Sequence, residues 1–312
     1  MFQFPGQGSQ AVGMGGSVAE AFSVARAVFE EVNDALGEDL FRLMQEGPED
    51  DLRLTRNAQP ALFAASMAAL AVLKEMTGKD TSAMASFVAG HSLGEYSALA
   101  AAGTLTIGDA ARLLRLRGDS MQDAVPAGEG AMAAILNVEE AVIDEITAEA
   151  SAGGVIQLAN DNAPGQIVLS GDLKTVEQSI EIAKAKGIRR AVLLPVSAPF
   201  HCSLMKPAAE KMLEALNYIK ILPPKVPVVT NVNATKISGD PDEIRGSLVQ
   251  QVTSMVRWRE SIEWMIENGI TSFVELGAGK VLTGLNKRID KDVQSISVES
   301  PDAIEEVLKE LR

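Results

Sequence analysis

The pattern of apolar and polar positions divides the chain into segments of two periods. Residues 1–4 open as a strand fragment, and Pro5-Gly-Gln-Gly-Ser-Gln10 follows as a glycine-rich loop. Positions 17–33 and 39–45 keep the 3.6-residue spacing of consecutive helices, 47–57 is charged and turn-rich, and 58–77 is an alanine-rich core helix. Residues 85–89, apolar apart from Ser86, predict a short buried strand, and the Ala/Leu run after Glu95 predicts a helix. A turn at Gly103-Thr-Leu-Thr-Ile-Gly108 precedes another helix over 109–123, with Leu113, Leu114 and Leu116 available to the core.

The texture changes at Pro126-Ala-Gly-Glu-Gly130. Beyond it the chain reads as strand 131–136, helix 138–150, strand 155–158, loop 159–165, strand 166–169, helix 173–186 and strand 190–194. That order is βαββαβ, the ferredoxin-like unit, which closes a small core of its own. Pro195-Val-Ser-Ala-Pro-Phe-His201 then leads back into alternating elements, with strands at 226–229, 272–275 and 295–298 and helices between them. Strands separated by helices predict a mainly parallel sheet covered on both faces. The expected organisation is a core formed by 1–126 and 196–312, with 127–195 as an inserted subdomain.

At 312 residues the chain can bury a large core. Its net charge of -14 argues against nucleic acid as a partner, since phosphate binding needs a basic face. A single cysteine, Cys202, forms no internal disulfide and fits a reducing compartment. No basic segment followed by an apolar one opens the chain, and the apolar run 60–73 falls short of the roughly 20 residues a bilayer span needs. A cytoplasmic protein with no membrane association is expected. Neither a metal-ligand cluster nor a repeat is visible. Gly6-x-Gly8-x-x-Ala11 matches a dinucleotide fingerprint only superficially, because helices stand where its second strand should be. Gly277-Ala-Gly-Lys280 lacks the first glycine of a phosphate loop and has Val281 in place of Ser or Thr.

The chemistry centres on Gly90-His-Ser-Leu-Gly94, a G-x-S-x-G elbow between strand and helix. The two glycines allow a turn too tight for a Cβ, and Ser92 takes the strained apex at the amino end of the following helix. A serine hydroxyl needs a base within hydrogen-bond reach. Of the two histidines, His91 is expected to point away from the face Ser92 presents, which leaves His201. No triad carboxylate announces itself. Cys202 is a rival nucleophile without a glycine elbow, and a lone cysteine is usually buried and inert.

Gly90-His-Ser-Leu-Gly-Glu95, Phe4-Pro-Gly-Gln-Gly-Ser-Gln10, Arg117-Gly118 with Met121-Gln122, and Pro199-Phe-His-Cys202 together resemble the malonyl-CoA:acyl carrier protein transacylases of fatty acid synthesis. Asn160-Asp-Asn-Ala-Pro-Gly-Gln166 and Gly279-Lys-Val-Leu-Thr-Gly284 extend the likeness over nearly the whole chain, although Ala278 stands where such enzymes often have proline. The resemblance implies an α/β-hydrolase-like core with a ferredoxin-like insertion. It implies Ser92 as the acylated serine, His201 as the general base, and the backbone amides of Gln7 and Leu93 as the oxyanion hole. Arg117 would grip the malonyl carboxylate, the Gln251 segment would orient the histidine through a main-chain carbonyl, and Phe200 would go with unbranched acyl groups. The substrates would be malonyl-CoA and acyl carrier protein, with no cofactor, no metal and a monomeric enzyme. Lys184, Lys186, Arg189 and Arg190, with Lys206 nearby, are the densest basic cluster and the expected docking patch for the acidic carrier. The main rival is a serine hydrolase or thioesterase, which shares elbow, base and oxyanion hole.

Overall fold

The computed structural model describes residues 1–311 and contains ten strands in two sheets. In chain order they are β1 (Phe2–Phe4), β2 (Val88–Gly90), β3 (Gly130–Leu136), β4 (Ile156–Ala163), β5 (Gln166–Asp172), β6 (Arg190–Leu193), β7 (Val228–Val229), β8 (Val256–Arg257), β9 (Ser272–Leu276) and β10 (Gln294–Val298). The first sheet has the order β10-β9-β1-β2-β7, and every pairing in it is parallel. The short opening segment is therefore its central strand. Both of its edges are paired, and Phe2 and Phe4 are buried.

Helices cover this sheet on both sides, as a parallel sheet requires. The longest, Thr55–Thr77, has 23 residues and is packed inside the fold along most of its length. It exceeds the apolar run seen in the sequence, and length and composition alone would admit it as a membrane span. Its burial among Phe29, Leu99 and Leu114 makes it a core helix. The expected single helix over 17–33 is two, Gly16–Ala21 and Ser23–Leu36, separated at Phe22, whose extended backbone breaks the ladder. A short helix, Glu49–Arg53, occupies the charged segment read as turn.

The second sheet has the order β6-β3-β5-β4-β8. Its first four strands are antiparallel and carry helices Glu140–Ala150 and Leu173–Ala185 on one face, the ferredoxin-like arrangement. Period-two alternation explains how the sheet is buried on both faces. Ala131, Ala133 and Ile135 of β3 join Ile143, Ile146, Val176 and Ile180 in a separate small core. Met132 of β3, with Ala159 and Val168, faces the main core instead.

Two features depart from the sequence reading. The segment 159–165, expected as loop, mostly continues β4 to Ala163, and only the turn at Pro164 and Gly165 remains. Its polar run Asn160-Asp-Asn162 looks like turn composition, yet β5 on one side and β8 on the other hold it extended. In addition β8, far from 127–195 in sequence, joins this sheet in parallel to β4 and ties it to the first unit.

Candidate active site

The elbow forms where the sequence places it. β2 ends at Gly90, helix Gly94–Ala101 begins two residues after Ser92, and Ser92 adopts a left-handed φ of 51°. A Cβ at Gly90 would fall on the Gly94 carbonyl, and one at Gly94 on the Phe4 carbonyl, so both positions require glycine. The strained turn is held from outside by Asn231. Its Oδ1 accepts from the Ser92 amide at 2.7 Å, and its Nδ2 donates to Gly90 O at 2.8 Å.

Ser92 Oγ lies 2.7 Å from His201 Nε2. His201 also has a left-handed φ, 60°, and its Nδ1 lies 2.9 Å from the backbone carbonyl of Gln251. A carbonyl only accepts, so Nδ1 carries the proton and Nε2 is left to accept from the serine hydroxyl. The orienting group is thus a main-chain oxygen at the end of helix Pro241–Thr253, and among the described residues no carboxylate hydrogen-bonds to His201 as a third triad member. Burial, with the Arg117 cation and His91 nearby, pulls the His201 imidazole down to about 3, so it is neutral near pH 7.

Arg117, on helix Ile107–Asp123, is 1% exposed. Arg115 pairs with Glu38 and Arg112 with Asp109 at the surface, whereas Arg117 points into the fold. Its Nη1 donates to Gln59 Oε1 at 2.7 Å, and its Nη2 donates to Gln251 Oε1 at 2.9 Å and to Ser92 Oγ at 3.2 Å. These acceptors are neutral, and among the described residues no carboxylate pairs with it. Burial lowers its pKa, but a guanidinium starts so high that it stays charged. The nearest buried acid is Glu95, whose Oε2 accepts from Gln251 Nε2 at 3.0 Å and from the Asn231 amide at 2.8 Å. Desolvation raises this carboxyl to about 7.

A cavity of about 390 Å³ opens over these groups, between the two sheets. Gln7, Ser92, Leu93, Arg117, Phe200 and His201 all line it, together with apolar side chains of Met121, Met132, Leu194 and Val196. The backbone amides of Gln7 and Leu93 donate to no acceptor within the described chain. Thr55 Oγ1 donates to Gln7 Oε1 at 3.0 Å and itself accepts from Gln59 Nε2 at 3.0 Å. One hydrogen-bonded series therefore runs from Gln7 through Thr55, Gln59, Arg117 and Gln251 to the elbow.

His91 also lines the cavity, but it is not a partner of the Ser92 hydroxyl. Its Nε2 is engaged by Asn162 Oδ1 at 2.7 Å, which separates it from Ser92. Cys202 is buried outside the lining, its thiol raised by burial and its Sγ donating to Pro199 O at 3.1 Å. Of the basic cluster, Lys184 and Lys186 pair with Glu181 and Glu145, each at 2.8 Å. Arg189 and Arg190 are exposed at the outer end of β6, whose other end runs into Leu194 of the cavity wall. Asn231, Glu95, Thr55, Gln59 and Asn160 escaped the sequence reading. Only Glu95 and Asn160 carried a signal, as members of motifs on which the resemblance rests.

The acyl transferase domain family matches residues 1–300. The malonyl CoA-acyl carrier protein transacylase of Bacillus subtilis is 46% identical over 312 residues, covering 100% of this chain and 96% of its own. Among solved structures, the acyl-carrier-protein-S-malonyltransferase of Bartonella henselae is 53% identical with a TM-score of 0.97, covering 99% of this chain and 98% of its own. A malonyl-transacylase solved in complex with its type II PKS acyl-carrier protein is 44% identical with a TM-score of 0.95, again covering 99% and 98%. Full-length identity at this level, on a fold that brings serine, histidine and buried arginine into one cavity, settles the family: the chain belongs to the malonyl-CoA:acyl carrier protein transacylases, within the acyl transferase domain family.

Proposed function

We propose that this chain moves a malonyl group from malonyl-CoA to the phosphopantetheine thiol of an acyl carrier protein through a malonyl-serine intermediate. The observation that carries the reading is the placement of Ser92 Oγ between a neutral imidazole at 2.7 Å and a buried guanidinium at 3.2 Å. The imidazole activates a nucleophile, and the guanidinium, with no carboxylate of its own, fits an acyl group that brings one.

In the first half-reaction His201 Nε2 takes the Ser92 hydroxyl proton as Oγ attacks the thioester carbonyl. The Gln7 and Leu93 amides stabilise the tetrahedral oxyanion, and the positive end of helix Gly94–Ala101 adds to them. Collapse expels the CoA thiolate, which takes the proton from His201. The carrier thiol then gives its proton to His201 and attacks the malonyl ester, and Ser92 regains a proton as it leaves. Gln251 holds the imidazole through its carbonyl and the guanidinium through its side chain, while Phe200 closes the cavity beside the acyl group. These steps use side chains and backbone alone, so no metal or cofactor is assigned.

The carrier docks on Arg189 and Arg190, with Lys184, Lys186 and Lys206 around them, against a chain of net charge -14. The active unit is a monomer acting in the cytoplasm, a compartment that an unpaired cysteine fits. A serine hydrolase or thioesterase would share elbow and base but has no use for a buried cation beside the nucleophile. Incubation with malonyl-CoA, with and without holo carrier protein, separates the two. Stable malonylation of Ser92 that discharges only onto the carrier supports transfer, and release of free malonate at the same rate without carrier overturns it.

A further inference from the structure

The loop that carries the Gln7 amide has few ties to its surroundings. Among the described residues no backbone amide from Gly6 to Gln10 donates to a backbone carbonyl, and the Gly8 amide donates to Gln10 Oε1 at 2.7 Å, inside the loop itself. Glycines stand on both sides of Gln7. A Cβ on Gly6 would meet His91 O at 2.9 Å, so that residue is seated on the elbow. Gly8 has a φ of 105° and open space where its Cβ would stand, and a glycine in such a place restrains the chain little. One hydrogen bond joins residues 6–10 to the rest of the described chain, and it runs between side chains: Thr55 Oγ1 donates to Gln7 Oε1 at 3.0 Å.

Thr55 is a rigid mount for that bond. It is fully buried and opens the long core helix Thr55–Thr77. A Cβ on Gly118 would stand 2.7 Å from Thr55 O and 2.5 Å from Arg56 Cα, so helix Ile107–Asp123 presses on the Thr55 backbone just beside Arg117. The direction of the Thr55 hydroxyl is also set. Arg117 has only donors to offer, so Gln59 presents Oε1 to it and Nε2 to Thr55 Oγ1. The hydroxyl accepts there and has its own proton left for Gln7 Oε1.

An oxyanion donor lowers the barrier to the extent that it is in place before the charge develops. We propose that Thr55 is a positioning residue for the reaction: its hydroxyl holds the Gln7 side chain, and through it the Gln7 backbone amide, where the tetrahedral oxyanion forms. This rests on the transfer reading above and adds a consequence to it. An oxyanion develops whatever the acyl group, so Thr55 serves every acyl donor alike, whereas Arg117 serves one that brings a carboxylate.

The test uses three variants. Thr55→Val keeps the shape and removes the hydroxyl, Thr55→Ser keeps the hydroxyl, and Gln7→Met breaks the same bond from the loop side. Single-turnover acylation of Ser92 is followed with malonyl-CoA and with acetyl-CoA, on protein still fully folded. In Thr55→Val the limiting rate should fall roughly tenfold with both donors, a fraction of the hundredfold or more that loss of a whole oxyanion donor costs. The donor concentration at half-saturation should stay within about twofold, as for an interaction made only in the transition state. Thr55→Ser should recover most of the rate. The losses in Thr55→Val and Gln7→Met should not add in the double variant, because both break one bond.

A loss confined to malonyl-CoA would route the effect through Gln59 and Arg117 and overturn the assignment, as would additive losses or a full rate in Thr55→Val. If the valine variant does not fold, Gln7→Met carries the comparison of the two donors, and a full rate there overturns the assignment equally. Failure of the unaltered protein to malonylate Ser92 overturns the transfer reading and with it this one, whereas a full rate in the variants overturns this one alone.

Discussion

Arg117 Nη2 donates to Ser92 Oγ at 3.2 Å, so the cation proposed to read the acyl group also touches the atom proposed to carry it. A fixed charge at that position bears on both specificity and pH.

For specificity, a malonyl carboxylate in the cavity would replace neutral acceptors on Arg117 with an anionic one. Charge-assisted bonds of this kind contribute about 1.5–3 kcal/mol each. Arg117→Ala is therefore expected to lower kcat/KM for malonyl-CoA by roughly a hundredfold or more while acetyl-CoA loading stays equal or rises. The ratio of the two rates of Ser92 acylation is the measurement. An unchanged preference for malonyl would remove Arg117 from the carboxylate site.

For pH, the proposed base is depressed to about 3, first by burial and next by the Arg117 charge. A depressed pKa keeps His201 unprotonated, and able to accept, at pH values where an ordinary imidazole with a pKa of 6.5 would be blocked. The rate of Ser92 acylation should hold nearly constant from pH 8 down to about 5. With acetyl-CoA as donor, Arg117→Ala removes a like charge, so its acid limb should move to higher pH. An acid limb near 6.5 in the unaltered enzyme would contradict the burial argument.

The elbow depends on Asn231, which closes two hydrogen bonds on it. Asn231→Ala leaves the Ser92 amide and the Gly90 carbonyl without those partners in a buried place and frees a residue with φ of 51° to relax. A loss of about 2–4 kcal/mol in unfolding free energy is expected. The acylation rate should fall further than the stability loss explains, as measured on protein still fully folded. Asn231→Asp keeps the acceptor for Ser92 and should recover part of both.

These residues also mark how far the chain could be read unaided. The elbow was legible because its requirement is local: a glycine two positions to either side of the apex, between strand and helix. His201 was legible by elimination in a chain with two histidines. Arg117 and Gln251 rested on resemblance, since nothing in their neighbourhoods separates a buried arginine or glutamine from a solvated one. Asn231 and Glu95 act through contacts such as Asn231 with Ser92 and Glu95 with Gln251, each joining residues more than a hundred positions apart, which no local pattern encodes. Composition misled at 160–162, where sheet pairing with β5 and β8 overrode a turn-like sequence.

The basic patch should matter in one half-reaction only. Lys184 and Lys186 already have acidic neighbours, whereas Arg189 and Arg190, like Lys206, are exposed and have no ion-pair partner among the described residues; the two arginines are adjacent in the chain. Reversing both to glutamate should raise the KM for carrier protein several-fold at low salt and leave Ser92 acylation by malonyl-CoA alone. The difference should shrink as salt screens the surface. An unaltered KM would put the carrier elsewhere.

Glu95 ties stability to pH. Its carboxyl titrates at about 7 in the fold against an ordinary 4.5, because burial disfavours the anion more than Asn231, Gln251 and Arg117 favour it. The folded chain thus holds this proton more tightly than the unfolded one. The stabilisation that the proton brings is complete below pH 4.5, fades as pH rises toward 7, and is gone above that. Glu95→Gln keeps an acceptor for the Asn231 amide and for Gln251 but does not titrate. Its Tm should therefore gain on that of the unaltered protein between pH 4.5 and 7, with no further gain at higher pH. A difference in Tm that stays constant across that range would mean Glu95 remains ionised in the fold as a true counter-charge to Arg117.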